Sequence, residues 1–80
     1  MYYVYVLQSR KTKKHYIGYT NNLERRLVEH NSGRTKSLKK HVPLEIIRVE
    51  EYSSYREARV RELEIKSYKS GEAFKNLIKY

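Results

Sequence analysis

The 80-residue chain contains no cysteine and no tryptophan, and it has one proline and three glycines. Without cysteine it forms neither a disulfide framework nor a thiolate metal site, which is typical of reducing compartments. No run of residues approaches the ~20 apolar side chains that cross a bilayer, and the N-terminus lacks a secretory signal pattern. We therefore predict a cytoplasmic protein without a membrane partner, folded as a single small domain over residues 1–80.

Acidic residues are scarce in the first half of the chain. The whole sequence has 18 Lys and Arg against nine Asp and Glu, a formal net charge of +9. Residues 1–42 hold ten of these cations and two acids, whereas residues 43–80 hold eight cations and seven acids. A one-sided positive field favours a polyanion such as a nucleic acid, because neutralised phosphates release condensed counterions. A membrane surface is a less favoured partner for this charge. Alternatively, the charge only contributes to solubility.

The hydrophobic pattern predicts three strands. Residues 2–7 are aromatic and β-branched without polar alternation, which is typical of a central strand buried on both faces. Residues 15–20 return to strand composition after a charged connection, so the two segments predict a β-hairpin with a basic tip. Residues 44–52 predict a third strand, in which the break in alternation between Ile46 and Ile47 indicates a bulge or a two-sided strand.

Capping residues delimit the predicted helices. Asn21 and Asn22 are both good N-caps for a first helix of about three turns. Ser54 and Glu57 form a capping box for a second helix that runs to about Lys69, and a short helix follows over residues 72–79. The order β-β-α-β-α-α predicts an α+β fold in which a small three-stranded sheet is covered by helices.

Two basic segments are predicted to contact a nucleic-acid backbone. The first is the tip of the hairpin, and the second is a surface loop over residues 33–42 that contains His41 and no acid. Backbone contacts of this kind position a strand but read little of its sequence. The predicted nucleic-acid-binding residues are Lys11, Lys13, Lys14, Arg34, Lys36, Lys39 and Lys40.

Glu62 is a carboxylate at a position where the pattern predicts an apolar residue. It shares one stripe of the second helix with three residues at spacings of three and four, namely Tyr55, Ala58 and Ile65. Burying an unpaired carboxylate is costly, so Glu62 should meet a cation, a metal ion or a solvent-filled cleft. A salt bridge at the margin of the core, for example to Arg26, is an equally good interpretation.

Four further polar residues lie on regular elements. Arg26 and His30 are one turn apart at the edge of the first helix's apolar face. A guanidinium fits phosphate oxygens, and an adjacent imidazole can donate a hydrogen bond or carry a proton. Tyr5 and Tyr16 fall on neighbouring strands, so their hydroxyls could converge at one end of the sheet. Taken singly, each of these residues is more often an ordinary surface or packing residue.

These residues follow one another at a specific spacing: Tyr3-Val4-Tyr5, Tyr16-Ile17-Gly18, Arg26, His30 and Glu62. The spacing resembles that of the GIY-YIG nuclease superfamily over nearly the whole chain. The likeness is greatest to its small stand-alone bacterial members, which are related to the N-terminal incision domain of the bacterial excision-repair nuclease. The first motif lacks the family's glycine and isoleucine and keeps its tyrosine.

The resemblance implies a three-stranded antiparallel sheet and one catalytic divalent cation, Mg²⁺ or Mn²⁺. Asn76 lies near the position of an asparagine found in some members. By matching position, the implied site consists of the motif tyrosines Tyr5 and Tyr16, the phosphate-binding Arg26, the helix histidine His30 and the metal ligand Glu62. The resemblance leaves open which tyrosine acts on the attacking water.

The resemblance also implies a reaction, the hydrolysis of DNA phosphodiester bonds with low or structure-directed specificity, in repair or recombination. RNA stays open as a substrate, and a protein partner could supply specificity. The oligomeric state is not predicted. Two other classes of function remain: a non-catalytic nucleic-acid-binding module, and an interaction subunit recruited by another protein.

Overall fold

The computed structural model describes residues 1–32, 41–69 and 71–78. The described strands form one antiparallel sheet in the order β2-β1-β3, so that β1 is central and β2 lies at an edge. The predicted α+β class, element order and central first strand are confirmed. The elements are β1 (Tyr2–Ser9), β2 (His15–Thr20), α1 (Leu23–Asn31), β3 (Leu44–Tyr52), α2 (Tyr55–Ser67) and α3 (Glu72–Ile78).

The central strand β1 is buried because helices cover both faces of the sheet. Val4 and Val6 pack in one core with α2 and α3. Tyr5 and Leu7 point to the opposite face, since side chains alternate along a strand, and pack in a second core with α1. Side chains from α1 and α2 therefore approach the edge strand β2 from opposite faces of the sheet.

Of the two interpretations of the broken alternation in β3, the bulge is confirmed. Val6 of β1 pairs with Arg48, whereas the next residue, Leu7, pairs with Ile46. Ile47 is therefore an extra residue in β3, which explains why the alternation of the sequence breaks at this point.

Of the two predicted N-caps for the first helix, Asn22 is the one that caps α1, and Ser54 caps α2 as predicted. The side chain of Asn22 accepts a hydrogen bond from the backbone N–H of Arg25 at 3.0 Å, and that of Ser54 accepts one from Glu57 at 3.3 Å. Helix α2 ends at Ser67, slightly earlier than predicted. No helix in the described part of the chain is long and apolar enough to span a membrane.

Two lysines have a left-handed backbone conformation. Lys13, in the connection between β1 and β2, has a φ of 67°, and Lys69, which follows the C-cap of α2, has a φ of 48°. Positions of this kind usually hold glycine, because a side chain there costs roughly 1–2 kcal/mol. The sequence places a lysine at both.

Glu50 of β3 connects the sheet to α2. Its carboxylate accepts hydrogen bonds at 2.7 Å from Arg61 Nε, Arg48 Nη2 and the Tyr52 hydroxyl. Arg48 also donates to the backbone carbonyl of Leu77 in α3. The hydrogen bond from Arg61 is the largest of the interactions that lower the pKa of Glu50 to about 2, against 4.5 for an unperturbed glutamate.

We expect ionised Glu50 to stabilise the fold. Its pKa is lower in the folded than in the unfolded chain, so the stabilisation is complete above about pH 4.5 and is lost as the pH falls towards about 2. Glu50→Gln should therefore lower the melting temperature at neutral pH by about 4–8 °C for each 1 kcal/mol lost. The difference from wild type should shrink across this pH window.

Thermal unfolding followed by circular dichroism at several pH values measures this effect. Glu51→Gln, at the exposed neighbouring position, is the matched control. A difference in melting temperature between Glu50→Gln and wild type that stays constant down to about pH 2 would contradict the prediction.

Candidate active site

A cleft of about 610 Å³ opens along the edge strand β2 and receives side chains from β1, β2, α1 and α2. The two helices reach it from opposite faces of the sheet, so residues far apart in the sequence meet there. All five residues that were predicted as catalytic line this cleft: Tyr5, Tyr16, Arg26, His30 and Glu62.

Gly18 lets the ring of Tyr5 cross the edge strand. The two residues are directly paired between β1 and β2. A Cβ atom on Gly18 would lie 2.6 Å from Cζ of Tyr5, far inside van der Waals contact. The missing side chain at Gly18 is therefore what allows the Tyr5 hydroxyl to reach the cleft.

Tyr5 and His30 form a buried pair. The Tyr5 hydroxyl lies 3.2 Å from Nε2 of His30. Burial raises the pKa of Tyr5, and the nearby Arg26 opposes this shift. Burial also lowers the pKa of His30, and the positive charge of Arg26 acts in the same direction. Both shifts favour the uncharged forms, so the pair is a phenol beside a neutral imidazole at neutral pH.

Tyr16 packs against His41. Their ring centroids are 5.5 Å apart, and burial raises the pKa of Tyr16. The interpretation of His41 as part of an exposed basic loop is wrong, since only 6% of it is exposed. The Thr12 hydroxyl lies 2.9 Å from its Nδ1, so the connection between β1 and β2 and the Tyr16 ring together enclose His41.

Glu62 is 4% exposed and pairs with two cations of its own helix. Nζ of Lys66 lies 3.2 Å from Oε2, and Arg59 donates a hydrogen bond to Oε1. In the part of the chain that the structure describes, these are its salt-bridge partners, and the pairing suggested with Arg26 is wrong. Spacings of three and four residues place both cations on adjacent turns of α2, which is the signal that sequence reasoning missed.

The carboxylate of Glu62 is a suitable ligand for a hard divalent cation whose other ligands are water and substrate oxygens. Mg²⁺ commonly binds through one or two carboxylates together with water and substrate phosphates. Over residues 1–32, 41–69 and 71–78, no group of three His, Asp or Glu side chains could enclose a metal ion. A cation at Glu62 would therefore rely on oxygens from solvent and substrate, and it would compete with Lys66 and Arg59.

Three tyrosines that were not predicted as site residues also line the cleft, namely Tyr2, Tyr19 and Tyr55. The rings of Tyr19 and Tyr55 meet edge-on at 5.5 Å, and Tyr2 packs on Tyr55 at 6.0 Å. Tyr55 shares the periodicity of the buried stripe, yet it is 52% exposed because it opens α2 at the cleft. The guanidinium of Arg59 lies 5.7 Å from the centroid of the Tyr19 ring.

The predicted nucleic-acid-binding residues do not line this cleft where they are described. Lys11 is exposed in the connection between β1 and β2, and Lys13 and Lys14 line a separate cleft beside the first. Asn76 is exposed on α3 and is not part of the cleft lining. The remaining predicted residues, Arg34, Lys36, Lys39 and Lys40, lie outside the described residues.

Comparison with known families agrees with this geometry. The GIY-YIG catalytic domain family matches residues 1–75. The chain belongs to the GIY-YIG family. It is 43% identical over 67 residues to a UPF0213 protein of Natronomonas pharaonis, covering 82% of this chain and 78% of the relative. It is 37% identical over 75 residues to a UPF0213 protein of Staphylococcus haemolyticus, covering 92% and 90%. No solved structure matches the chain significantly.

GIY-YIG is a family of nucleases. In this member the two motifs lie on the paired strands β1 and β2. The tyrosine of the first motif, Tyr5, lies directly opposite the glycine of the second, Gly18. The motif spacing thus has a physical reason, because the ring from one strand needs the missing side chain of the other.

Proposed function

We propose that this GIY-YIG protein is a divalent-metal-dependent endonuclease that hydrolyses DNA phosphodiester bonds. The observation that supports it best is that a phenol beside an imidazole, a guanidinium and a carboxylate line one cleft. Hydrolysis of a phosphodiester requires a proton acceptor, a phosphate ligand and stabilisation of developing charge, and these groups can supply them. The proposed active-site residues are Tyr5, Tyr16, Arg26, His30 and Glu62.

The Tyr5 and His30 pair is proposed to take the proton of the attacking water. The raised pKa of Tyr5 keeps it a phenol, so it is a poor base alone. The neutral imidazole of His30, 3.2 Å away, can accept the phenol proton while the phenol oxygen accepts the proton of water. We therefore propose Tyr5 for the relay, and Tyr16, on the same face of the sheet, for orienting the water.

Arg26 is proposed to bind the phosphate. Its guanidinium is exposed on α1 at the cleft and can form two parallel hydrogen bonds with phosphate oxygens. These bonds would strengthen as negative charge develops on the phosphate. Glu62 would hold one Mg²⁺ or Mn²⁺, which supplies Lewis acidity and lowers the pKa of bound water.

The cleft favours contacts with the backbone and with ring faces over contacts with base edges. Cations and tyrosines of this kind position a strand but read little sequence. We therefore propose low or structure-directed specificity for a single-domain enzyme of residues 1–80, with a protein partner as a further source of selection. Its proposed setting is DNA repair or recombination in the cytoplasm.

A cleavage assay tests the proposal. Plain duplex, nicked, branched and single-stranded DNA, together with an RNA strand, are incubated with the protein in Mg²⁺, Mn²⁺ or EDTA. We expect cleavage of at least one DNA substrate with a cation and none with EDTA. Binding without cleavage on every substrate would favour a non-catalytic binding module, which the pairing of Glu62 with Arg59 and Lys66 would then explain.

Arg26→Ala is expected to lower the cleavage rate about a hundredfold, because the phosphate loses a donor at the reacting centre. The slope of log binding constant against log salt should fall by about one unit. Arg25→Ala is the matched control, since Arg25 is exposed on the same helix, pairs with Glu29 at 3.7 Å and does not line the cleft. Equal losses in the two variants would contradict the role of Arg26.

A further inference from the structure

A second cleft, of about 450 Å³, lies beside the active-site cleft. Lys13 and Lys14 reach it from the connection between β1 and β2, Lys66 from α2, and Lys69 from the segment after α2. No acidic residue of the described chain lines it, although Lys66 pairs with Glu62 at its border. Ammonium groups gathered in a concave site repel one another, so the cleft favours a bound anion.

Two lysines at this cleft have a backbone conformation that usually requires glycine. Lys13 and Lys69 are the two non-glycine residues with positive φ in the described chain, and both line this cleft. Strained residues of this kind concentrate at functional sites, where the side chain is needed despite its conformational cost. Glycine would adopt this backbone conformation at both positions without strain. What lysine provides there, and glycine does not, is an ammonium group.

His15 contributes an unsatisfied polar atom to the same lining. Its Nε2 is buried and has no hydrogen-bond partner among the described residues, while its ring packs edge-on against Phe74 at 5.0 Å. A buried polar atom without a protein partner is commonly satisfied by an ordered water or an ion. A small shift of the ring towards the cleft would let an anion there, or a water that it orders, satisfy this atom.

The two clefts are neighbours. Ile17 and Lys66 line both of them, and between them the two linings include every residue of the edge strand β2. The six residues of β2 extend over about 20 Å. Because one strand of a B-form duplex places a phosphate every ~3.4 Å along the axis, this length is enough for several phosphates.

We propose that the second cleft is a phosphate-binding site for a backbone phosphate of the nucleic-acid strand whose scissile bond lies in the active-site cleft. The identity of this ligand rests on the proposed function. Lys13, Lys14 and Lys69 supply the charge, and His15 supplies a hydrogen bond. The cleft thereby anchors the strand along β2 and fixes which phosphate reaches Arg26.

Binding of a short fluorescent DNA, as duplex and as single strand, tests the cleft in EDTA at a series of salt concentrations. Lys69→Ala and Lys69→Gly should each weaken binding about fivefold and lower the salt slope by about one unit, whereas Lys69→Arg retains both. Lys69→Gly should also melt at a higher temperature than Lys69→Ala, since glycine relieves the left-handed strain. Lys75→Ala, at an exposed position of α3 outside the cleft lining, is the matched control.

A loss of affinity in Lys69→Ala no larger than that in Lys75→Ala overturns the proposal. The ring signals of His15 in NMR spectra should shift when DNA is added, and unchanged signals count against it. Cleavage assays separate this inference from the proposed function. If the protein cuts DNA and neither binding nor cleavage depends on Lys69, the proposed nuclease activity stands and the proposed phosphate site is wrong. If the protein binds DNA through Lys69 but cuts no substrate with Mg²⁺ or Mn²⁺, the phosphate site stands and the nuclease activity is wrong.

Discussion

Replacing Glu62 by alanine is expected to lower the rate of DNA cleavage about a thousandfold or more while DNA binding persists. Glu62 is the one acidic residue in the described lining of the candidate active-site cleft. Its removal takes away the proposed cation ligand and leaves Arg59 and Lys66 without their shared partner. Both cations are partly exposed, at 43% and 48%, so they stay solvated and become available to phosphate.

Cleavage and binding must be measured on the same preparation to separate these effects. Glu64→Ala is the matched control, because Glu64 is a half-exposed carboxylate of the same helix that pairs with Arg61. It should cleave DNA at the wild-type rate. A Glu62→Ala protein that melts near the wild-type temperature and still cleaves DNA would show that Glu62 is only a structural partner of Arg59 and Lys66.

The fold was predictable because its signals are local. The β-branched run of β1, the bulge at Ile47 and the capping residues Asn22 and Ser54 each act within a few residues of their own position. Their positions are confirmed by the pairing register and by the cap hydrogen bonds. The end of α2 was less well predicted, because no single residue there stops the helix as strongly as Ser54 starts it.

The candidate site was predictable only as a set of residues. Periodicity placed Glu62 and Tyr55 on one stripe, but it cannot show that the stripe leaves the core at its N-terminal end, where Tyr55 is exposed. His41 likewise reads as a basic loop residue until the Tyr16 ring covers it. Such outcomes depend on which elements pack across the sheet, and this information is spread over the whole chain.

The second prediction with a large expected effect is that Gly18→Ala impairs cleavage although it adds only a methyl group. The Cβ would lie 2.6 Å from Cζ of Tyr5, and the ring cannot move aside cheaply because it is buried and held beside His30. We expect a loss of about 1–3 kcal/mol in the free energy of unfolding. Displacing the hydroxyl by about 1 Å should lower the cleavage rate about a hundredfold.

Chemical denaturation and cleavage assays measure the two effects, and Gly71, the other glycine that the structure describes, provides the control. A Cβ on Gly71 would lie 3.2 Å from the Tyr68 carbonyl oxygen, a tight contact that does not involve the cleft lining, so Gly71→Ala should leave cleavage unchanged whatever its effect on stability. If Gly18→Ala acts through the Tyr5 hydroxyl, it should slow cleavage far less in a Tyr5→Phe background, while its cost in stability remains. Additive losses of activity in the double variant would show that Gly18 serves the site by some route other than Tyr5.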